Sequence, residues 1–161
     1  MVEKSVKEIK KNLLKTNSIL MVAESCTGGL ISSYLTDISG SSNFIKQNFV
    51  TYSNAAKENI LGVSSNTIEK YGVVSSNVAL EMVNGLIKKH KADYGISTTG
   101  VLGPKLYDDG QEKGTVFIGL ASKNKSVAVE YHSKRKTREA IKKDIVKYAL
   151  NEFAKFLNNN S

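Results

Sequence analysis

Ile19-Leu20-Met21-Val22-Ala23-Glu24-Ser25-Cys26-Thr27-Gly28-Gly29-Leu30-Ile31-Ser32-Ser33-Tyr34-Leu35 is the stretch whose reading decides the fold. An apolar strand, Ser18 to Glu24 at its widest, breaks into small residues and resumes as a helix with Leu30, Ile31, Tyr34 and Leu35 at helical spacing. Ser25, Cys26, Thr27, Gly28 and Gly29 therefore stand between a strand end and a helix start. Helix starts carry unpaired N–H groups and a positive dipole end. Glycines let a ligand approach the backbone, so an anion or a developing oxyanion fits here. A Ser/Thr cap beside a tight turn reads equally well from these residues alone.

Outward from this junction, helices and strands alternate. Val2, Val6, Ile9 and Leu13 mark an opening amphipathic helix. After the helix that runs to about Asp37, Gly40-Ser41-Ser42 breaks the chain, and 44–52 reads as a second strand ending in Ser53-Asn54. Ala55 to Leu61 is a short helix closed by Gly62, and Thr67 to Tyr71 another closed by Gly72. Ser75 or Ser76 caps a longer helix with Val78, Ala79, Met82, Val83, Leu86 and Ile87 inward. Tyr94 to Thr99 is a third strand, followed by a long loop over 100–114. Thr115 to Ala121 and Ser126 to Tyr131 form a strand pair around Ser122-Lys123-Asn124-Lys125, and a helix over 138–157 closes the chain. The pattern predicts an α/β sandwich whose sheet is mainly parallel with one antiparallel element. Ligands in such sheets bind at the carboxyl ends of the strands, here near Ser25 to Gly29, Tyr52 to Asn54 and Thr98 to Gly103. No repeat or linker is visible, so 1–161 reads as one domain.

Composition narrows the class. The 161 residues are 40% hydrophobic and 24% charged, ordinary for a soluble domain. One cysteine, no membrane-length apolar run and no signal-peptide core point to the cytoplasm. The net charge is +8, and residues 123 to 161 hold ten Lys/Arg against four Asp/Glu. The densest run is Lys134, Lys136, Lys142, Lys143, Arg135 and Arg138. Without interleaved aromatics it reads as a solvated helix face, and a nucleic-acid partner is not expected.

Tyr52-Ser53-Asn54-Ala55-Ala56-Lys57 supplies what the first stretch lacks. A serine hydroxyl needs a base to attack a carbonyl, and a lysine desolvated near a helix start loses its proton more readily. Ser25 with Lys57 is thus a candidate pair. Cys26 at a helix start would be expected to have a lowered thiol pKa, but no histidine lies near it in sequence. His90 and His132 are expected to be exposed. One cysteine and two scattered histidines offer no metal-ligand spacing, and no Walker or dinucleotide glycine pattern occurs, so no metal or cofactor is indicated.

Ala23-Glu24-Ser25-Cys26-Thr27-Gly28-Gly29, Val50-Thr51-Tyr52-Ser53-Asn54 with Lys57, Gly72-Val73-Val74-Ser75, Thr99-Gly100-Val101-Leu102-Gly103-Pro104 and Gly114-Thr115-Val116 occur in the order found in the CinA C-terminal domain family. The resemblance runs over about residues 5–155. That family is also called nicotinamide-nucleotide amidase. The resemblance implies a three-layer α/β/α fold and hydrolysis of the carboxamide of nicotinamide mononucleotide to nicotinate mononucleotide and ammonia. It places the family's serine–lysine pair on Ser25 and Lys57 and its active-site tyrosine on Tyr52. Cys26, Thr27, Gly28, Gly29, Asn54, Thr99, Gly100 and Arg138 are the expected substrate contacts. The expected partner is the small pyridine mononucleotide, in a homo-oligomer without membrane association. The larger N-terminal domain often fused to this one in the family is not expected in these 161 residues.

Three departures stand out. Lys105-Leu106-Tyr107 follows Gly103-Pro104 where the family has small residues; Lys113 replaces a proline; Lys136-Thr137 precedes Arg138 where the family has Gly-Asp. The altered loop over 105–113 supports an alternative, a nucleotide-binding module with little or no catalysis and a regulatory or partner-binding role.

Overall fold

A computed structural model describes residues 2–103 and 111–160. Helix α1 (Val2–Lys15) buries Val6, Ile9 and Leu13. Strand β1 (Leu20–Glu24) is buried throughout. Then come α2 (Leu30–Thr36), a short 3-10 turn (Ser41–Asn43), β2 (Phe49–Val50), α3 (Asn54–Leu61), α4 (Ser65–Tyr71) and α5 (Ser76–Lys88). Strands β3 (Tyr94–Gly100), β4 (Thr115–Ser122) and β5 (Ser126–His132) lead to α6 (Arg138–Asn160).

The five strands form one sheet in the order β2-β1-β3-β4-β5. β1 pairs parallel with both β2 and β3, while β3–β4 and β4–β5 are antiparallel. Parallel pairing is thus confined to the β2-β1-β3 half, and the hairpin completes a mixed sheet. Because strand side chains alternate between faces, β1 serves two cores. Leu20 and Val22 pack with α1, α2 and α6; Met21 and Ala23 pack with Leu61, Met82, Val83 and Leu86 on the α3–α5 side. Helices cover both faces, the three-layer α/β/α arrangement. A Cβ on Gly85 would overlap the backbone of Leu61, so the absent side chain lets α5 seat the end of α3 closely.

The expected second strand shrinks to Phe49–Val50. The reason is local. Val22 N–H donates to the side-chain Oδ1 of Asn48 at 2.9 Å, and Leu20 N–H donates to the Phe44 carbonyl at 2.8 Å. A side chain and an isolated bridge thus satisfy β1 where a longer strand would have run. From β1 the chain goes first to β2 on one side and later to β3 on the other. In sheets with such a switch point ligands bind beyond the strand carboxyl ends, and that is where Ser25 follows β1.

Candidate active site

The junction after β1 takes its expected form, a turn that leads into a helix. Residues 26–29 form a turn, closed by Gly28 N–H donating to the Ser25 carbonyl at 3.1 Å, and α2 begins only at Leu30. Gly28 and Gly29 hold φ of +61° and +97°, a region that residues with a Cβ rarely adopt. The helix N-terminus is not open to an external anion, because Glu24 fills it. Its fully buried carboxylate accepts from Ile31 N–H at 2.8 Å, Ser32 N–H at 3.0 Å, Ser32 Oγ at 2.7 Å and Thr27 Oγ1 at 2.7 Å. Since Thr27 donates its proton to Glu24, the Thr27–Thr98 contact of 2.9 Å has Thr98 as donor. Thr98 Oγ1 in turn accepts from Ser25 N–H at 3.4 Å. A relay from Glu24 through two hydroxyls thereby fixes the backbone of Ser25. Sequence reasoning assigned no role to Glu24 or Thr98. An acid at the end of an otherwise apolar strand, and the hydroxyl run Ser97-Thr98-Thr99 in another, were the available signals. The N–H groups of Cys26, Thr27 and Gly29 meet no oxygen acceptor among the described residues.

Helix α3 delivers the lysine. Ser53 caps it by accepting from Ala56 N–H at 3.0 Å, and Gly62 closes it at φ +73°. Lys57 and Leu61, one turn apart, form its buried face, so the chain inserts an amine where a core residue would sit. Lys57 is 1% exposed. Its Nζ lies 3.1 Å from Ser25 Oγ, 2.8 Å from the Thr51 carbonyl and 3.4 Å from the Tyr52 carbonyl. Among the described residues no carboxylate pairs with it. Burial holds its pKa below the ordinary lysine range, against a smaller opposing influence from Cys26. The Thr51 hydroxyl is buried with no partner among the described residues.

Cys26 reverses its expectation. The turn buries the thiol, and desolvation pushes its pKa up to about 12. A Cβ on Gly100 would lie 3.1 Å from Cys26 Sγ, so Gly100 packs on the thiol.

A family model for the CinA C-terminal domain matches residues 2–157. The chain belongs to the CinA C-terminal domain family. It is 45% identical over 134 residues to a CinA-like protein of Chlorobaculum tepidum, covering 83% of this chain and 32% of that protein. A CinA-like protein of Syntrophus aciditrophicus is 41% identical over 76% of this chain and 29% of its own length. The chain thus spans about a third of the length of these curated relatives. Among solved structures, the competence-damaged protein (CinA) superfamily protein of Escherichia coli aligns with a TM-score of 0.89 at 33% identity, covering 94% of this chain and 88% of that one. The competence/damage inducible protein CihA of Agrobacterium tumefaciens gives 0.90 at 33% identity, with 98% and 95% covered.

The remaining CinA positions are distributed unevenly. Tyr52 is 64% exposed, and its phenol accepts from the Arg138 guanidinium at 3.2 Å in an exposed contact. Only its carbonyl touches Lys57. Asn54 opens α3 on the surface, and its side chain makes no hydrogen bond among the described residues. The Thr99 hydroxyl donates to the Val73 carbonyl at 2.8 Å, tying β3 to the segment before α5. His90, expected to be exposed, is half-buried: Nε2 lies 2.7 Å from the Ile60 carbonyl and the ring packs on Phe49. His132 is exposed. Two departures from the CinA pattern meet each other, Lys113 Nζ donating to the Lys136 carbonyl at 3.0 Å. Beside Lys136, Thr137 caps α6 by accepting from Ala140 N–H at 3.2 Å, so Thr supplies the oxygen that an Asp would. Lys105, Leu106 and Tyr107 lie outside the described residues.

Proposed function

We propose that this CinA domain is an amidohydrolase that converts nicotinamide mononucleotide to nicotinate mononucleotide and ammonia through Ser25 and Lys57. The observation that carries this reading is the set of partners around Lys57 Nζ. Two are backbone carbonyls, which can only accept; the third is Ser25 Oγ at 3.1 Å. A neutral amine has two N–H groups and one lone pair. Donating to the two carbonyls uses both N–H groups and turns the lone pair toward the serine. Desolvation favours that neutral form.

In the first step Ser25 Oγ attacks the carboxamide carbon while its proton passes to Lys57 Nζ. The carbonyl oxygen becomes an oxyanion, and the N–H groups of Cys26 and Thr27, which meet no oxygen acceptor among the described residues, are the nearest backbone donors in sequence. Collapse breaks the C–N bond, and Lys57 returns the proton to the departing nitrogen, which leaves as ammonia. Water then attacks the Ser25 ester, giving one proton to Lys57; C–O cleavage passes that proton from Lys57 to Ser25 Oγ and releases the carboxylic acid, which loses its own proton to solvent. Both half-reactions use one base, as a serine–lysine pair requires. Cys26, buried and protonated, takes no part.

The alternative of a nucleotide-binding module without catalysis draws on the altered loop alone and leaves the burial of Lys57 against Ser25 unexplained. Purified protein incubated with nicotinamide mononucleotide separates the two. Stoichiometric ammonia and nicotinate mononucleotide support the hydrolase; binding without release supports the module.

A further inference from the structure

We propose that Gly85 and His90 are positioning residues for the base: together they seat the end of α3 on α5, and that seat sets the depth at which Lys57 meets Ser25. The proposal rests on the hydrolase reading for the reaction, though not for the geometry. Gly62 and Val63 N–H return to Glu58 and Lys57, so among the described residues no backbone N–H closes the carbonyls of Asn59, Ile60 and Leu61. The end of α5 meets all three. Lys89 Nζ donates to the Asn59 carbonyl at 2.6 Å, and His90 Nε2 lies 2.7 Å from the Ile60 carbonyl. A carbonyl can only accept, so that ring nitrogen carries the proton. Leu61 faces Gly85, where a Cβ would stand 2.9 Å from the Leu61 carbonyl carbon and 3.1 Å from its Cα. Those are backbone atoms, which cannot turn aside as the end of a side chain can. Just past α3, Ser64 N–H donates to Glu81 Oε2 at 3.2 Å. Glu81, Gly85 and Lys89 are spaced by four, one stripe of α5 turned to α3.

Lys57 and Leu61 lie one turn apart on the buried face of α3, so a shift of Leu61 carries Lys57 with it. The Lys57 carbonyl accepts from Val63 N–H at 3.2 Å, which ties the lysine backbone into the same anchored turn. The other end of α3 has no comparable hold, since Ser53, Asn54 and Ala55 are exposed and Ser53 caps only its own helix. The second wall of the lysine is fixed from the same place. The His90 ring packs on Phe49 with 4.5 Å between centroids, and Phe49 lies two residues before Thr51, whose carbonyl holds Lys57 Nζ. Gly85 lies inside α5 without a positive φ, where glycine weakens a helix relative to alanine. Backbone freedom therefore does not account for it; the space it leaves for Leu61 does. Among the described residues the Cys26 thiol is the only charge influence on Lys57, so the lysine pKa reports how well it is buried.

The test compares Gly85→Ala, His90→Leu and His90→Gln with wild type in kcat, KM and the pH dependence of kcat for ammonia release from nicotinamide mononucleotide. A base displaced by about an ångström predicts that kcat of Gly85→Ala falls about 10- to 100-fold while KM stays within about twofold. The apparent pKa should rise toward 10.5 as water reaches the amine. His90→Leu should move the same way by less, and His90→Gln, whose amide can still donate to Ile60, should stay near wild type. The histidine pair decides the matter if Gly85→Ala does not fold. An unmoved apparent pKa overturns the proposal whatever the kcat, because a merely structural loss lowers the folded fraction and leaves that value alone. Should wild type release no ammonia, the hydrolase reading fails by itself. The seat is then judged by the Lys57 pKa from nitrogen NMR of lysine side chains in isotope-labelled protein, the resonance being assigned by its loss in Lys57→Arg. A rise in Gly85→Ala, or in His90→Leu should the former not fold, upholds the seat; an unmoved value overturns it.

Discussion

Lys57 Nζ and Ser25 Oγ, 32 residues apart in sequence, lie 3.1 Å apart in a buried contact. The same amine holds the Thr51 carbonyl at 2.8 Å. A fully enclosed lysine without a carboxylate is costly as a cation, which favours the neutral amine that the proposed mechanism requires.

The pH dependence follows with a definite sign. Burial lowers the folded-state pKa of Lys57 from 10.5, so the active neutral amine forms above that lowered value. Amide hydrolysis should rise with pH through an apparent pKa below 10.5. Stability should also rise between the folded and unfolded values, because the unfolded chain binds the extra proton in that window. Lys57→Arg should be inactive, since guanidinium stays protonated. Rate profiles of the two proteins check this, and an active arginine variant would leave Lys57 as a mere positive charge.

Glu24 should matter for folding more than its one side chain suggests. Glu24→Ala strands two helix N–H groups and two hydroxyls, and should cost about 3 kcal/mol in urea unfolding. Glu24→Gln, which keeps one acceptor oxygen, should fall between. A loss below about 1 kcal/mol for the alanine variant would mean that water replaces the carboxylate.

Cys26 should be chemically quiet. Its thiol, pushed up to about 12 and buried, should react with iodoacetamide far more slowly in the native protein than after unfolding. Cys26→Ala should keep most hydrolysis. Rapid native labelling that abolishes activity would contradict the assigned geometry.

Tyr52 contributes its carbonyl to the lysine and its phenol to Arg138. Tyr52→Phe keeps the first and loses an exposed contact, so kcat should change by less than about fivefold and the pH profile should hold. A shifted profile would mean that the phenol approaches Lys57 during turnover.

Much of this was legible in sequence where the signal is local. Ser53 and Gly62 bound α3, Ser75 caps α5, and the hairpin around 122–125 appears as expected. The Ser25–Lys57 pair was reachable because a serine nucleophile demands a base, which narrows the field before any fold is known. What escaped depends on contacts distant in sequence. Glu24 caps a helix seven residues on, Thr98 reaches Ser25 across a parallel register, and Lys142 meets Gly28 only because α6 crosses that turn. The second strand was overread because apolar content cannot reveal that Asn48 would replace its ladder. Tyr52 meets the lysine through its carbonyl, and sequence does not say which of its atoms faces it.

The central claim rests most directly on the rate of ammonia release from nicotinamide mononucleotide by Ser25→Ala beside wild type. With wild type active, the serine–lysine mechanism predicts a loss of at least about a thousandfold with the fold retained. A Ser25→Ala protein working within tenfold of wild type would contradict it.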